Sequence, residues 1–158
     1  MPLDSQLFRQ TMGSFVTGVA IVTARDARGL LRGMTASSVA ALSLEPPMLL
    51  VCVGHEAEIH DALARTPSFG LAVLAKGQED LAVRFATRGM QHFADLDVAV
   101  TPGGLPRIPG AIAHVECRRD AVYAAGDHSI VTGLVEWAET DAGAPLCYFR
   151  SRYTELAR

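Results

Sequence analysis

Lysine is nearly missing from this chain of 158 residues: Lys76 is the only one, and arginine supplies the rest of the 14 basic residues against 17 acidic ones, for a formal charge of −3. No basic stripe or cluster forms, which excludes a phosphate backbone, and with it nucleic acid, as the partner. Cysteine is scarce as well. Cys52, Cys117 and Cys147 are odd in number, far apart and without a C-x-x-C pair. They read as three small buried hydrophobes in a reducing compartment. No uninterrupted apolar run reaches the length of a membrane span. The opening M-P-L-D-S-Q-L-F-R-Q lacks the charged region and apolar core of an export signal, so a cytoplasmic location is expected.

Motifs are absent too. No G-x-G-x-x-G follows a strand, no Walker loop is present, and there is no G-x-S-x-G elbow; Ser37-Ser38 has no base beside it in sequence. Histidines stand at 55, 60, 92, 114 and 128. His55 and His60 are five apart, which is not the spacing that puts two ligands on one helix face, and no metal site is expected.

What is present is a chain 49% apolar and 20% charged, long enough for one domain with a proper core over residues 1–158. Asp4 or Ser5 caps a short helix with the stripe Leu7, Phe8, Thr11 and Met12, ended by Gly13. Phe15–Thr23 is β-branched and bounded by R-D-A-R-G, so it forms a hairpin with a strand over Leu30–Ser37. Met48–Val53 is a continuous apolar run and reads as a strand buried on both faces. Glu56–Arg65 and Gln78–Ala86 have helical spacing, and Phe69–Leu74 lies between them as a strand. Thr101–Gly110, with three prolines and three glycines, is a surface loop. Ile112–Tyr123, Ser129–Glu136 and Pro145–Phe149 complete the strands. Strands come in pairs and helices are short insertions, so a mostly β, antiparallel barrel is predicted over a doubly wound sheet. No repeat, linker or low-complexity tract divides the chain.

Two segments carry chemistry. In Arg32–Ala40, R-G-M-T-A-S-S-V-A, Gly33, Ala36 and the hydroxyls of Thr35, Ser37 and Ser38 let a flat, polar-rimmed ligand approach the main chain. That favours a bound cofactor over chemistry done by side chains. In Gly126–Ser129, G-D-H-S, a turn presents an imidazole at the mouth of a strand.

F-R-Q-T-M-G-S-F-V-T-G-V-A-I-V-T, G-M-T-A-S-S-V-A-A-L-S-L-E-P-P-M-L-L-V-C-V, F-G-L-A-V-L, Q-E-D-L-A-V-R-F-A, G-D-H-S-I-V-T-G and Y-F-R-S-R-Y follow one another along nearly the whole chain. In that order they resemble the flavin reductase family with the FMN-binding split-barrel fold, the small reductase components of two-component flavin-dependent monooxygenases. The resemblance implies a six-stranded antiparallel Greek-key split barrel with short peripheral helices, working as a homodimer. It implies an NAD(P)H:flavin oxidoreductase that passes a hydride to FMN or FAD and supplies reduced flavin to a separate monooxygenase. NADH is favoured over NADPH, because few free basic residues are available for a 2′-phosphate. The cofactors then carry the reaction while the protein supplies geometry and charge.

The same resemblance assigns residues. Gly33, Met34, Thr35, Ala36, Ser37 and Ser38 line the isoalloxazine edge. Cys52, Val53 and Gly54 follow the ring and ribityl chain, and Glu58, Ile59 and His60 start a helix beside the phosphate. Arg84 and Phe85 approach the same tail, with Arg84 the phosphate partner. His128 is the nicotinamide-side histidine, and Arg150, Arg152 and Tyr153 meet the dinucleotide. The chain departs from the family pattern in two places. G-H-E-A-E-I follows V-C-V where hydroxyls or a basic residue are common, and Ala72 stands where asparagine is common. Both remove polar contacts, leave FMN against FAD open, and point to flavin released instead of tightly retained. A second reading is a flavin carrier or storage protein without reductase activity, against which the G-D-H-S turn speaks.

Overall fold

The computed structural model describes residues 1–157. Helix α1 spans Ser5–Gly13, and the Asp4 carboxylate accepts from the Leu7 amide at 3.1 Å as its cap. There follow β1 (Thr17–Gly18), β2 (Ala20–Arg25), β3 (Leu31–Ala36), β4 (Val39–Leu44), β5 (Pro47–Gly54), α2 (His60–Arg65), β6 (Ser68–Val73) and α3 (Glu79–Ala86). The long strands β7 (Ala113–Ala125) and β8 (His128–Thr140) come next, then β9 (Cys147–Phe149) and β10 (Arg152–Thr154). Seven strands form one sheet in the order β3-β2-β6-β7-β8-β5-β4, and β1-β9-β10 form a second. Every pairing is antiparallel.

The mostly β, antiparallel architecture agrees with the sequence reading, but the main sheet has seven strands where six were expected. β4 is the addition. It is exposed along most of its length, so no alternation of apolar and polar residues betrays it. β3 and β4 occupy opposite edges of the sheet yet are joined by only Ser37 and Ser38. Three Cα steps of about 3.8 Å bring those edges within about 11 Å of each other at this corner, so the sheet curls strongly.

Two further expectations need correction, and the place of the α1 stripe, which the sequence left open, is settled. β5 is not buried on both faces: Leu49, Val51 and Val53 are buried, and the residues between them are half-buried. The helical stripe of α1 does not reach the core, and Leu7, Phe8 and Met12 are all exposed. The 101–110 segment is a loop but not merely a surface one, because Thr101, Leu105, Pro106 and Ile108 are buried. It folds back on itself as the Thr101 amide donates to the Leu105 carbonyl at 2.8 Å.

β2 and β6 are the strands buried on both faces. Val22 and Ala24 join one core with Val51, Val53, Ile59, Leu63, Phe69 and Val131. Val19, just before β2, and Ile21 join a second core with Leu74, Phe85, Ile108 and Leu146. α2 therefore covers one side of the curled sheet and α3 the other. Neither helix is long enough to hold itself in water. Burial of Phe85, on the order of 2–3 kcal/mol, anchors α3 against β3, and Ile59 and Leu63 do the same for α2.

Candidate functional site

β3 is an edge strand, paired only with β2, so the backbone N–H and C=O groups on its outer side are open to a ligand. A cavity of about 340 Å³ lies along it. Gly33, Met34 and Thr35 form one wall, Gly54, Glu56, Ala57, Glu58 and Ile59 the other, and Phe85, Ala86, Thr87, Arg88 and His92 close the end. Gly33 makes this packing possible: a Cβ there would lie 2.5 Å from Phe85 Cε1. The Thr35 hydroxyl donates to the Ala82 carbonyl at 2.6 Å and fastens α3 to the strand.

The remaining hydroxyls divide. Ser38 Oγ donates to the Cys52 carbonyl at 3.0 Å, and the Cys52 amide returns a bond of 3.0 Å to the Ser38 carbonyl, which locks the β3–β4 corner to β5. Ser37 is exposed and Ala36 buried. Val53 and Ile59 turn their side chains into the core, so they can offer only backbone to a ligand.

At the groove's end the β5–β8 register sets Gly54 opposite His128. The imidazole lies over the glycine: a Cβ at Gly54 would stand 3.6 Å from His128 Nε2. His128 Nδ1 is 2.7 Å from Asp127 Oδ1, and that bond holds the Asp127 carboxyl below the usual carboxylate range. Beside them His60 Nε2 meets Ser129 Oγ at 2.9 Å, and the His55 and His60 rings meet edge to face at 5.2 Å. His60 is the first residue of α2, and its N-cap Ile59 makes no side-chain capping bond. The helix predicted from Glu56 thus begins later, and Glu58 belongs to the turn before it.

Arg84, expected beside the phosphate, is engaged elsewhere, and Arg88, to which the sequence reading gave no role, lines the groove. Arg84 donates to the Gln91 carbonyl at 3.2 Å and to the Ala94 carbonyl, so its guanidinium holds the segment after α3 in place. Arg88 lines the cavity instead, donating to the Glu56 carbonyl. Glu58 Oε1 accepts from the Gly89 amide at 3.0 Å, and His92 stacks on Phe85 with centroids 5.2 Å apart. Sequence reasoning missed Arg88, Thr87 and His92. Arg88 lies past the end of α3, and no motif in the sequence signalled it.

Arg150, Arg152 and Tyr153 do not join this groove. They sit on the β9–β10 hairpin, whose turn places Arg150 and Ser151 at φ +48° and +62°. Arg150 lines a separate opening of about 560 Å³ with Arg9, Gln10 and Ser14. Tyr153 packs on Tyr148, and burial pushes its hydroxyl pKa up.

Residues 12–157 match the model of the flavin reductase like domain. The chain belongs to that family. An NADH-dependent FMN reductase of Agrobacterium fabrum is 39% identical over 155 residues, covering 98% of this chain and 88% of the relative. The reductase subunit of a flavin-dependent monooxygenase from Rhodococcus jostii is 37% identical, with 98% and 79% covered. Among solved structures, the Streptomyces globisporus NADH:FAD oxidoreductase in complex with NAD and FAD fragments superposes with a TM-score of 0.92 at 36% identity, covering 99% of this chain and 97% of that one.

For a flavin reductase-like chain the groove suits the cofactor. Its volume falls at the lower end of small-molecule sites, roughly 300–1,000 Å³. Backbone lines two walls, Phe85 and Met34 give apolar surface, and one guanidinium stands among two carboxylates. Among the described residues, no helix is long and apolar enough to cross a membrane.

Proposed function

We propose that this chain is an NADH-dependent flavin reductase that hands reduced FMN or FAD to a separate flavin-dependent monooxygenase. The observation that carries the reading is the imidazole of His128 lying over Gly54 at the end of the β3 groove. Relatives named as an FMN reductase using NADH, an NADH-dependent FAD reductase and monooxygenase reductase components support it. When bound, flavin supplies the hydride-accepting ring for NADH. Everything else falls to the chain's own groups. The outer edge of β3 from Gly33 to Ala36, with the exposed Ser37 hydroxyl, offers donors to a flat polar rim. Such donors favour negative charge that grows on a ring during reduction. Cys52, Val53 and Gly54 approach as backbone, and the missing side chain at Gly54 leaves room beneath His128.

The phosphate end is weakly cationic. Arg88 is the guanidinium that lines it, while also donating to the Glu56 carbonyl; Arg84 is turned to the Gln91 and Ala94 carbonyls, and Glu56 and Glu58 set two negative charges beside Arg88. That balance supports flavin as a substrate that leaves after reduction. Arg150, Arg152 and Tyr153, on their own hairpin, are proposed to meet the dinucleotide away from the ring. A carrier or storage role would leave the His128–Asp127 pair without work.

Three coarser expectations extend the proposal. The two-residue link between the edge strands supports a split barrel, closed at the Ser37–Ser38 corner, within a single domain. Exposed Leu7, Phe8, Met12, Phe15 and Val16, all within ten residues of one another, support a homodimer that covers them. Three free cysteines suit the reducing cytoplasm. The test is to mix purified protein with NADH and either FMN or FAD and follow NADH absorbance. Flavin-dependent loss of NADH supports the reading, and no oxidation with either flavin rejects it.

A further inference from the structure

β7 and β8 are joined by a two-residue hairpin loop, Gly126 and Asp127, closed by the Ala125–His128 pair. Gly126 takes the left-handed φ of +61° that the first position of such a loop demands. The turn therefore fixes Asp127 directly before His128, at the only point where β8 meets the end of β5. A second tether comes from the other side, where the His55 amide donates to the Asp127 carbonyl at 3.0 Å. The backbone of Asp127 is thus held by its own turn and by β5, while its side chain is 95% exposed and supports no core.

What that side chain touches is His128. The Nδ1–Oδ1 distance of 2.7 Å is that of a charge-assisted hydrogen bond. A carboxylate can only accept, so Nδ1 carries the proton, and the ring presents Nε2 over Gly54. The other titratable groups around the ring are His55 at the end of β5 and, from α2, His60, which is itself engaged by Ser129 Oγ and the Asp61 carboxylate. Neither His55 nor His60 reaches His128 Nδ1, so the tautomer rests on Asp127.

We infer that Asp127 is a positioning residue for hydride transfer: it sets which nitrogen of His128 faces the groove and holds the ring over Gly54. The inference rests on the reductase reading, in which His128 is the nicotinamide-side group. An unpinned imidazole would present either nitrogen and sample several orientations, and NADH would have to select the competent one at each encounter.

The test uses Asp127→Ala in the full chain with two readouts. In flavin-free protein labelled with 15N histidine, imidazole NMR of the wild type is expected to show His128 protonated at Nδ1 in its neutral form. Asp127→Ala is expected to mix the tautomers, an effect that a merely structural role would not produce. With flavin present, KM for NADH is expected to rise roughly tenfold, the low end of the effect of losing an orienting partner, with flavin affinity and Tm unchanged. An unchanged tautomer, or an unchanged KM for NADH, overturns the inference and leaves the reductase reading standing. Wild-type protein that does not oxidise NADH with either flavin overturns both.

Discussion

The Gly89 amide donates to Glu58 Oε1 across the groove at 3.0 Å, and Arg88 next to it donates to the Glu56 carbonyl. The segment that follows α3 is therefore fastened to the turn that precedes α2, over the end where a flavin phosphate is expected. The carboxylate of Glu58 has two opposed effects there. It keeps the fastening closed, and it repels an anion.

Glu58→Gln and Glu58→Ala separate those effects. The glutamine keeps an acceptor for the Gly89 amide and removes the charge. A unit charge about 8 Å from a phosphate in water-like surroundings is worth about 0.5 kcal/mol, or roughly twofold in affinity, so Glu58→Gln should bind FMN about twice as tightly. Glu58→Ala removes the acceptor as well, and flavin release measured by stopped flow should accelerate relative to Glu58→Gln. Equal release rates in the two variants would show that the Gly89 contact does not restrain the flavin.

Gly33→Ala should damage the site and the fold together. Its Cβ would stand 2.5 Å from Phe85 Cε1 and 3.2 Å from Phe93 Cζ, and Phe85 is buried with nowhere to turn. Overpacking of this kind costs about 1–3 kcal/mol, which at this chain length lowers Tm by about 2–4 °C per kcal/mol. Calorimetry gives the stability change, and titration with FMN should show weaker binding because Phe85 and Ala86 of α3 close the groove's end. A Tm equal to that of the wild type would mean that α3 shifts freely, contrary to the packing described.

Much of this site was legible because its parts are local. The β2–β3 hairpin announces itself by Asp26, whose Oδ1 accepts from the Arg28 and Leu30 amides at 2.9 and 3.0 Å, and by the β-branched run that precedes it. The G-D-H-S turn is a two-residue loop whose geometry follows from its glycine. The choice between Arg84 and Arg88 was not legible. Arg84 lies on α3 and Arg88 just past its end, and only the carbonyls of Gln91 and Ala94 show that Arg84 is used up. The stripe of Leu7, Phe8 and Met12 was legible, but amphipathicity says that a face needs covering without saying by what. β4 escaped notice because a half-exposed strand beside Pro46-Pro47 has no alternation to read.

Acid should weaken the fold through His114. Burial, reinforced by Arg107, pushes its pKa below the ordinary 6.5, although its Nε2 contact with the Ile108 carbonyl at 3.1 Å opposes the shift. The unfolded chain then takes up a proton near pH 6.5 that the folded one resists. The stability involved is present above pH 6.5 and is lost as pH falls below it, with a slope of at most about 1.4 kcal/mol per pH unit for one group. Denaturant unfolding of wild type and His114→Gln between pH 7 and pH 5 checks this. The variant should lose less stability over that interval, and parallel profiles would remove His114 as the cause.

In the proposed reductase NADH meets the flavin groove at His128. The most direct measurement is steady-state NADH oxidation by wild type and His128→Ala at varied NADH, paired with the flavin dissociation constant of each. The expected result is flavin-dependent oxidation by the wild type, a raised KM for NADH in the variant, and the same flavin dissociation constant in both. Equal KM values, or a loss confined to flavin binding, would contradict the placement of NADH at the His128 end of the groove.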